Sequence, residues 1–331
     1  MDSDRPERSA SGEGAVNRRG RLATTVKVVV PIVLIGLLLW QFDWTRARVE
    51  LAAVPPLFLL LLFAAMVVEL AVSTVKWSWA LRMHDLRYRL GYLWRALCSG
   101  FFLNAFLPSA VGGDVYRVYK TLPTDGFQSR ALSAVLIERA AGLLTLLAFG
   151  AAGAFLVIDE YRAARVYCYA MLAVTIVGVL GDVALARGGL TGLTAAWDRF
   201  RPLRAVHHSM GLLKHRGREW LLLLLGSAVF QAMSIGILFC LFALLSANAT
   251  LAECAFIAAL VGLAAVLPIS INGIGVMEGA LVAGAVMVGV DYDKAVLVAF
   301  LRRMLNLSLA ASCGLVHVTA AERDGRITAA A

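Results

Sequence analysis

Acids and arginines stand close together inside the apolar parts of this 331-residue chain. Asp114 and Arg117 are one helical turn apart and follow Gly112 and Gly113, so they share a face if a helix begins at the glycines. The guanidinium of arginine is planar and can bind a phosphate with two hydrogen bonds. Glycine-rich backbone can present further N–H groups to an anion. The pattern therefore indicates an anion site in which Asp114 balances the arginine without ligand or binds an amine.

A second set of residues of the same types lies near the end of the chain, where Glu278 is followed by Arg302 and Arg303. Arginines are costly to hold near lipid, so they need a carboxylate, water or a ligand beside them. One interpretation is a phosphate site. The other is a set of internal ion pairs that fix helix packing, for example Glu278 with Arg302. Both interpretations stay open at this point.

Composition places these charges in a membrane. The chain is 60% hydrophobic, and its apolar residues come in long runs, which is typical of a polytopic membrane protein. The net charge of +9 lies mostly in short loops between the runs, which favours the positive-inside bias and argues against nucleic-acid binding. The polar stretches are too short to enclose a soluble catalytic domain. Five cysteines without a CxxC pair indicate neither a metal site nor a disulfide framework, and no cofactor is predicted.

Charge also predicts the domain boundaries and the topology. Residues 1–21 are polar and are expected to be a disordered, basic N-terminus, residues 22–320 a single integral membrane domain, and residues 321–331 a tail. The first apolar run is interpreted as a retained span without a cleavage site. Basic residues at both ends predict a multi-pass protein of the cell membrane with the N- and C-termini in the cytoplasm.

About six full spans are predicted. They cover residues 22–41, 55–75, 131–158, 166–186, 219–245 and 295–319. The stretch 76–95 is basic and rich in tryptophan, so it is expected to be a cytoplasmic loop or an interfacial helix. The short stretch 43–50 is charge-balanced and is expected to be an outside loop.

Two further apolar segments are interrupted. The segment 96–116 contains Pro108, which cannot continue a helix, and it has basic residues on both flanks. It therefore enters and leaves the membrane on one side, as a re-entrant hairpin. The second break begins at Pro268, between apolar arms at 254–267 and 280–290. Irregular backbone inside a membrane survives only within protein or beside a water-filled cavity, so the two hairpins are expected to enclose such a cavity.

The two interrupted segments form a weak internal repeat. Gly112 and Gly113 follow Pro108 at the offsets at which Asn272 and Gly273 follow Pro268, and each hairpin precedes a span with a charged couplet. An odd number of spans between the hairpins sets them in opposite orientations, a pattern typical of transporters. The predicted fold class is an all-α polytopic membrane protein with two re-entrant hairpins in inverted arrangement, in total roughly six to eight transmembrane helices.

The residues that line the two breaks are the candidate site. Asn104 and Asn272 either cap broken helix ends or contact the ligand, and capping is favoured. Glu69, inside the second span, is either a proton or cation site or a buried, hydrogen-bonded acid. The full candidate set for binding a lipid headgroup is Asn104, Gly112, Gly113, Asp114, Arg117, Glu138, Arg139, Asn272, Gly273, Gly275, Glu278, Arg302 and Arg303.

These motifs resemble a known family. The pattern Phe102-Leu-Asn104-Ala-Phe-Leu-Pro108-Ser-x-x-Gly112-Gly113-Asp114-x-x-Arg117, then Ile137-Glu138-Arg139, then Pro268-x-x-x-Asn272-Gly273-x-Gly275-x-x-Glu278 resembles the lysylphosphatidylglycerol synthase transmembrane family, also called flippase-like or UPF0104. The resemblance covers nearly all of residues 22–320. It implies a membrane region that translocates a modified phospholipid; in fused members a separate cytosolic domain makes that lipid. This chain carries no such domain, and Met277 replaces an arginine usual in the family.

Three hypotheses follow. The first is a lipid translocator in which the headgroup of a phospholipid, isoprenoid phosphate or glycolipid crosses between the hairpins. The second is a membrane-embedded transferase with Asp114 or Glu278 as base, which is disfavoured because the sequence offers no metal motif or nucleophile. The third is a non-catalytic membrane partner of an enzyme that makes an aminoacyl-phospholipid, hopanoid or glycolipid. The expected partners are membrane lipids, with a second copy of the chain or a lipid-synthesis enzyme as protein candidates.

Overall fold

The computed structural model describes residues 29, 31, 33–40, 42–106, 112–122, 128–157, 161–162, 165–167, 169–170, 217–266 and 271–319. The predictions for the N-terminus, most of the fourth span at 166–186 and the tail lie outside these residues, as do Pro108 and Pro268.

The described chain is built from helices. They are α1 (Trp44–Ala52), α2 (Pro56–Met83), α3 (Leu90–Phe106), α4 (Gly112–Lys120), α5 (Gln128–Leu156), α6 (Gly217–Leu244), α7 (Leu251–Val266), α8 (Val276–Met287) and α9 (Tyr292–Thr319). Residues 33–40, in the first predicted span, are also helical. Among the described residues, α2, α5, α6 and α9 are long and apolar enough to cross a membrane. The predicted class of polytopic α-helical membrane protein is confirmed.

The stretch 76–95 was predicted to be a cytoplasmic loop or an interfacial helix, and its first part is instead the buried continuation of a long apolar helix. Helix α2 continues to Met83, and Lys76 is buried inside it. The helix does not end at this lysine because its ammonium group lies 3.7 Å from the carboxylate of Glu138. A buried charge with a partner is tolerated where an unpaired one is not. The remaining apolar residues, including Trp77 and Leu81, then pack in the core.

The outside loop predicted at 43–50 is a short helix instead. Asp43 caps the N-terminus of α1, because its Oδ1 accepts hydrogen bonds from the backbone N–H of Thr45 at 2.9 Å and of Arg46 at 3.2 Å. Aspartate at this position satisfies donors that the first turn of a helix leaves unpaired. The balance of charges favoured a surface segment, but the capping residue decided its conformation.

The first interrupted segment is an antiparallel hairpin of α3 and α4. Near its open end the hydroxyl of Tyr92 donates to the carbonyl of Lys120 at 2.7 Å. Deeper in the hairpin the two backbones meet at glycines, since a Cβ atom on Gly113 would lie 2.2 Å from the carbonyl oxygen of Gly100. Glycine at both positions allows this close approach. The chain therefore enters and leaves on the same side, as predicted.

The second interrupted segment, α7 and α8, is also an antiparallel hairpin. The hydroxyl of Tyr161 donates to Glu253 Oε1 at 2.9 Å and lies 3.1 Å from the carbonyl oxygen of Val288, so it joins the two arms at their open end. The tip contains a 3₁₀ turn, Ile271–Gly273, in which Asn272 is left-handed with φ of 51°. Asparagine adopts this conformation more readily than most residues.

The two hairpins enter from opposite faces of the bundle. The open end of the first hairpin leads into the start of α5, and we call this the first face. At the other end of α5, Gly153 packs against the backbone of Ala252 at the start of α7, so that the open end of the second hairpin lies at this second face. Since α5 is long and apolar enough to span a membrane, the hairpins at its two ends point towards each other from opposite faces. The predicted inverted arrangement is therefore confirmed.

The repeat is closer in structure than in sequence. The arginine of each half binds the acid of its own hairpin at the same separation of 25 residues, Arg139 with Asp114 and Arg303 with Glu278. The acids are displaced by 164 residues (114 to 278), but the prolines by 160 (108 to 268). The second tip is therefore longer by about one helical turn. Its 3₁₀ turn lies in this longer connection.

The contact between the arms of the first hairpin gives a stability prediction. Substituting Gly113→Ala forces a methyl group into the backbone of α3, and overpacking of this kind costs about 1–3 kcal/mol. The matched control is Gly142→Ala in α5, where a Cβ atom meets nothing within 4 Å. In thermal unfolding in detergent, Gly113→Ala is expected to have a lower midpoint temperature than wild type. The control is expected to show no such decrease. Equal midpoints would contradict the close packing of the arms.

Candidate functional site

The first hairpin carries a group of charges that we call the first charge cluster: Lys76, Asp114, Arg117, Glu138 and Arg139. Glu138 receives the Arg117 Nη2 donor at 2.5 Å and lies 3.7 Å from Lys76 Nζ. Asp114 Oδ1 accepts from Arg139 Nη2 at 2.8 Å and from Arg117 Nη1 at 3.3 Å. Helices α2, α4 and α5 are thus joined through ion pairs.

Exposure divides the first charge cluster into two parts. The side chains of Lys76, Arg117 and Glu138 are 4%, 5% and 6% exposed, whereas that of Arg139 is 58% exposed. The buried part is also held by aromatic rings, with Arg117 4.3 Å above the ring of Trp77. Cation–π contacts stabilise a desolvated guanidinium. Lys76, Arg117 and Glu138 therefore have a structural role. Arg139, with its partner Asp114, is the accessible part of the cluster.

The second charge cluster lies where the second hairpin meets its neighbouring helices, and it consists of Glu69, Ser234, Glu278, Arg302 and Arg303. Glu278 pairs with Arg303 and also accepts the backbone N–H of Gly275 at 2.7 Å. Arg302 Nη2 donates to the hydroxyl of Ser234 at 3.3 Å, and its Nη1 is buried without a hydrogen-bond partner. The sequence-based pairing of Glu278 with Arg302 is wrong, because the carboxylate lies against the neighbouring Arg303.

The proposed backbone anion sites at the tips are already occupied. Asn104 Oδ1 accepts the N–H of Gly113 at 2.7 Å, so Asn104 caps the start of α4 from within α3. The N–H of Gly275 is bonded to Glu278 in the same way. Each of these glycine donors is therefore satisfied by a side chain of its own hairpin. Where the tips are described, the arginine side chains are the better candidates for binding an anion.

The structure brings the predicted residues together in two groups and keeps the groups apart. Arg139 lies eleven residues beyond the start of α5 (128 to 139), and Arg303 lies eleven beyond the start of α9 (292 to 303). Each arginine therefore lies about 16 Å from the start of its helix, and the two helices start at opposite faces. One group comprises Asn104, Gly112, Gly113, Asp114, Arg117, Glu138 and Arg139, and the other Asn272, Gly273, Gly275, Glu278, Arg302 and Arg303.

Sequence reasoning missed two members of the site. Lys76 was assigned to a loop, although it stands two turns after Glu69 on the same face of α2, which is a signal that the helix continues. Ser234 carried no signal, because a serine within an apolar helix usually bonds its own backbone or packs between helices. Its role becomes visible only where Arg302 of α9 meets α6.

These features define a class of protein: an α-helical polytopic membrane protein with two inverted re-entrant hairpins, each carrying an acid–arginine pair. The family model for the lysylphosphatidylglycerol synthase TM region matches residues 24–313, and the chain belongs to this family. A search of curated proteins finds no match. Membership is consistent with a lipid-related protein of a membrane and confirms the family resemblance.

The shared carboxylate of Glu138 gives a second stability prediction. Substituting Glu138→Gln leaves the buried cations of Lys76 and Arg117 without their counter-charge, and breaking a buried pair in this way costs about 3–5 kcal/mol. Asp114→Asn should cost less, because its partner Arg139 is largely exposed and its other partner, Arg117, keeps the carboxylate of Glu138. Chemical or thermal unfolding in detergent measures both variants. A smaller effect for Glu138→Gln than for Asp114→Asn would contradict this ranking.

Proposed function

We propose that this chain binds the phosphate-bearing headgroup of a membrane lipid and moves it between the leaflets, without acting as an enzyme. The observation that carries the proposal is the pair of charge clusters on hairpins from opposite faces, with the same acid–arginine separation. A carrier that accepts one headgroup from either side needs two related sites in inverted orientation. Paired, interrupted helices in inverted halves are the usual way in which membrane transporters provide them.

The charges of the first cluster favour an anion. Lys76, Arg117 and Arg139 are cationic, whereas Asp114 and Glu138 are the two carboxylates that pair with them, so one positive charge is in excess. An excess charge within a membrane is costly even where it is accessible, and an anionic ligand offsets that cost. The two unesterified oxygens of a phosphodiester match the fork of a guanidinium.

Binding at the first cluster requires an exchange of partners. Arg139 is the accessible cation, and Asp114 holds it with a single 2.8 Å hydrogen bond. An incoming phosphate can take this guanidinium, while Arg117 retains Asp114 at 3.3 Å. The carboxylate released from Arg139 is then available to an amine on a zwitterionic headgroup. The same exchange at Arg303 and Glu278 would serve the other leaflet.

The acyl chains have an apolar surface to follow. A groove of about 370 Å³ lies between the first turns of α2 and the middle of α9, with Phe63 and Met304 among its lining residues. Apolar grooves of this kind suit hydrocarbon and leave the polar headgroup to the charged residues. The chains can therefore remain in a lipid-like environment while the headgroup crosses.

The competing hypothesis is a membrane partner that only holds a lipid-modifying enzyme. It is supported by the ion pairs themselves, because the contact of Arg303 with Glu278 also fixes the packing of α8 on α9. The two hypotheses differ in what the guanidinium must do. A scaffold needs only its charge, whereas phosphate binding uses the planar fork of arginine, which lysine lacks.

The transport test uses purified protein in vesicles with labelled phosphatidylglycerol, phosphatidylethanolamine or a polyprenyl phosphate. Arg139→Ala and Arg303→Ala should each slow movement about tenfold or more, since a lost charged hydrogen bond is worth about 1.5–3 kcal/mol. The lysine variants should recover only part of the rate. Arg48→Ala, at an exposed position of α1, is the control and should move lipid at the wild-type rate.

Two results would overturn the proposal. Wild-type protein that moves none of these lipids under imposed lipid gradients would exclude translocation. Lysine variants that match wild type in rate, with Arg139→Ala also at the wild-type rate, would overturn the role of these arginines in binding the headgroup, because neither the fork nor the charge would then matter to transport.

A further inference from the structure

A line of polar side chains joins the two charge clusters through the middle of the bundle. Lys76 of the first cluster and Glu69 of the second lie on α2, two turns apart and on one face. Helix α6 packs on this face: the ring of Phe230 lies 4.6 Å from Lys76 Nζ, and Ser234, one helical turn further along α6, is the hydroxyl that interacts with the Glu69 carboxylate. The path continues from Ser234 to Arg302 of α9.

Glu69 differs from the other acids of the two clusters. Asp114, Glu138 and Glu278 each have an arginine nitrogen within 4.0 Å, whereas no basic nitrogen of the described residues lies within that distance of Glu69. It nevertheless lies at the middle of α2, a helix long enough to span the membrane. A carboxylate at such a depth is costly unless it is paired or neutral.

The charged groups around Glu69 come from its own helix and from α9, and α6 contributes a hydroxyl. They are Arg302 on α9, Lys76 on α2 and Ser234 on α6. Arg302 also lies close enough to the carboxylate of Glu278 to interact with its charge. Arg302 is therefore the cation that responds most directly to the charge of Glu69.

Arg302 also has unused hydrogen-bonding capacity. Its Nη1 is buried without a partner, and its Nη2 has only the 3.3 Å contact with Ser234. An orphaned buried donor costs free energy, and a phosphate oxygen would satisfy it. A phosphate at this position adds negative charge beside Glu69 and Glu278 in a medium of low dielectric. Neutralising one carboxylate offsets that addition, and Glu69 is the one without an ion pair to break.

We propose that Glu69 is a proton-binding site and that its protonation accompanies the binding of an anionic headgroup to Arg302, so that a proton crosses the membrane with the lipid. The proton comes from the aqueous phase, and the O–H bond of the carboxylic acid is the one bond formed. The new O–H donates to Ser234 Oγ in place of Arg302, whose guanidinium turns to the phosphate. This inference rests on the proposed lipid translocation.

Transport with and without a pH gradient tests the inference. Movement of labelled phosphatidylglycerol is measured in phosphatidylcholine vesicles, once without a pH gradient and once with the acid side at the donor leaflet. The ratio of the rate with the gradient to the rate without it is then compared among variants. Wild type is expected to have a ratio well above one, and Glu69→Gln a ratio of one, because glutamine cannot release or bind the proton. Glu219→Gln, the same change in the first turn of α6, is the matched control and should keep the wild-type ratio.

A second measurement does not depend on the variant. Binding of short-chain phosphatidylglycerol to the wild-type protein in detergent should take up about one proton per lipid in weakly buffered solution, as linkage requires. Lipid movement by wild type that is indifferent to the pH gradient, binding without proton uptake, or a Glu69→Gln ratio equal to wild type would each overturn proton coupling. A wild-type protein that moves no lipid would instead overturn the proposed function itself.

Discussion

The cost of charge in a membrane decides how this bundle is built. Glu138 is buried and serves two cations at once, the guanidinium of Arg117 on α4 and the ammonium of Lys76 on α2. None of the three groups would be stable there alone, because an unpaired buried ion costs several kcal/mol. The re-entrant helix is consequently fixed against two transmembrane helices by one carboxylate, and the position of Asp114 and Arg139 follows from that attachment.

The two halves meet this constraint in different ways. The first half has three cations, Lys76, Arg117 and Arg139, against two carboxylates, so one positive charge is in excess. The ring of Trp77 covers Arg117, one of the buried charges. In the second half Arg302 faces a hydroxyl at Ser234 and a more distant carboxylate at Glu69. The inverted pair is thus alike in geometry but unlike in electrostatics. Under the proposed function, the first site would bind an anion as it stands, whereas the second would require a compensating charge.

Much of the fold could be predicted from the sequence. Proline and glycine inside apolar runs, with basic residues on both flanks, were enough to predict the hairpins, and the odd number of spans between them predicted the inversion. Lys76 was placed outside the transmembrane helices because the positive-inside rule counts basic residues without regard to their ion-pair partners. The partner of Lys76 is Glu138, which lies far along the chain. The acid–arginine pairing failed for a simpler reason: Arg302 and Arg303 are adjacent, and only the rotation of α9 decides which one faces Glu278.

A tyrosine joins the two arms of each hairpin at its open end, and this limits how far the arms can separate. The hydroxyl of Tyr92 fastens one pair of arms, and that of Tyr161 fastens the other. The tips are internally hydrogen-bonded as well, through Asn104 in the first hairpin and Glu278 in the second. Opening either hairpin would break these hydrogen bonds, so under the proposed function each hairpin would move as a rigid unit. The chain would then bend in the connections that flank the hairpins, of which 84–89 and 245–250 are described.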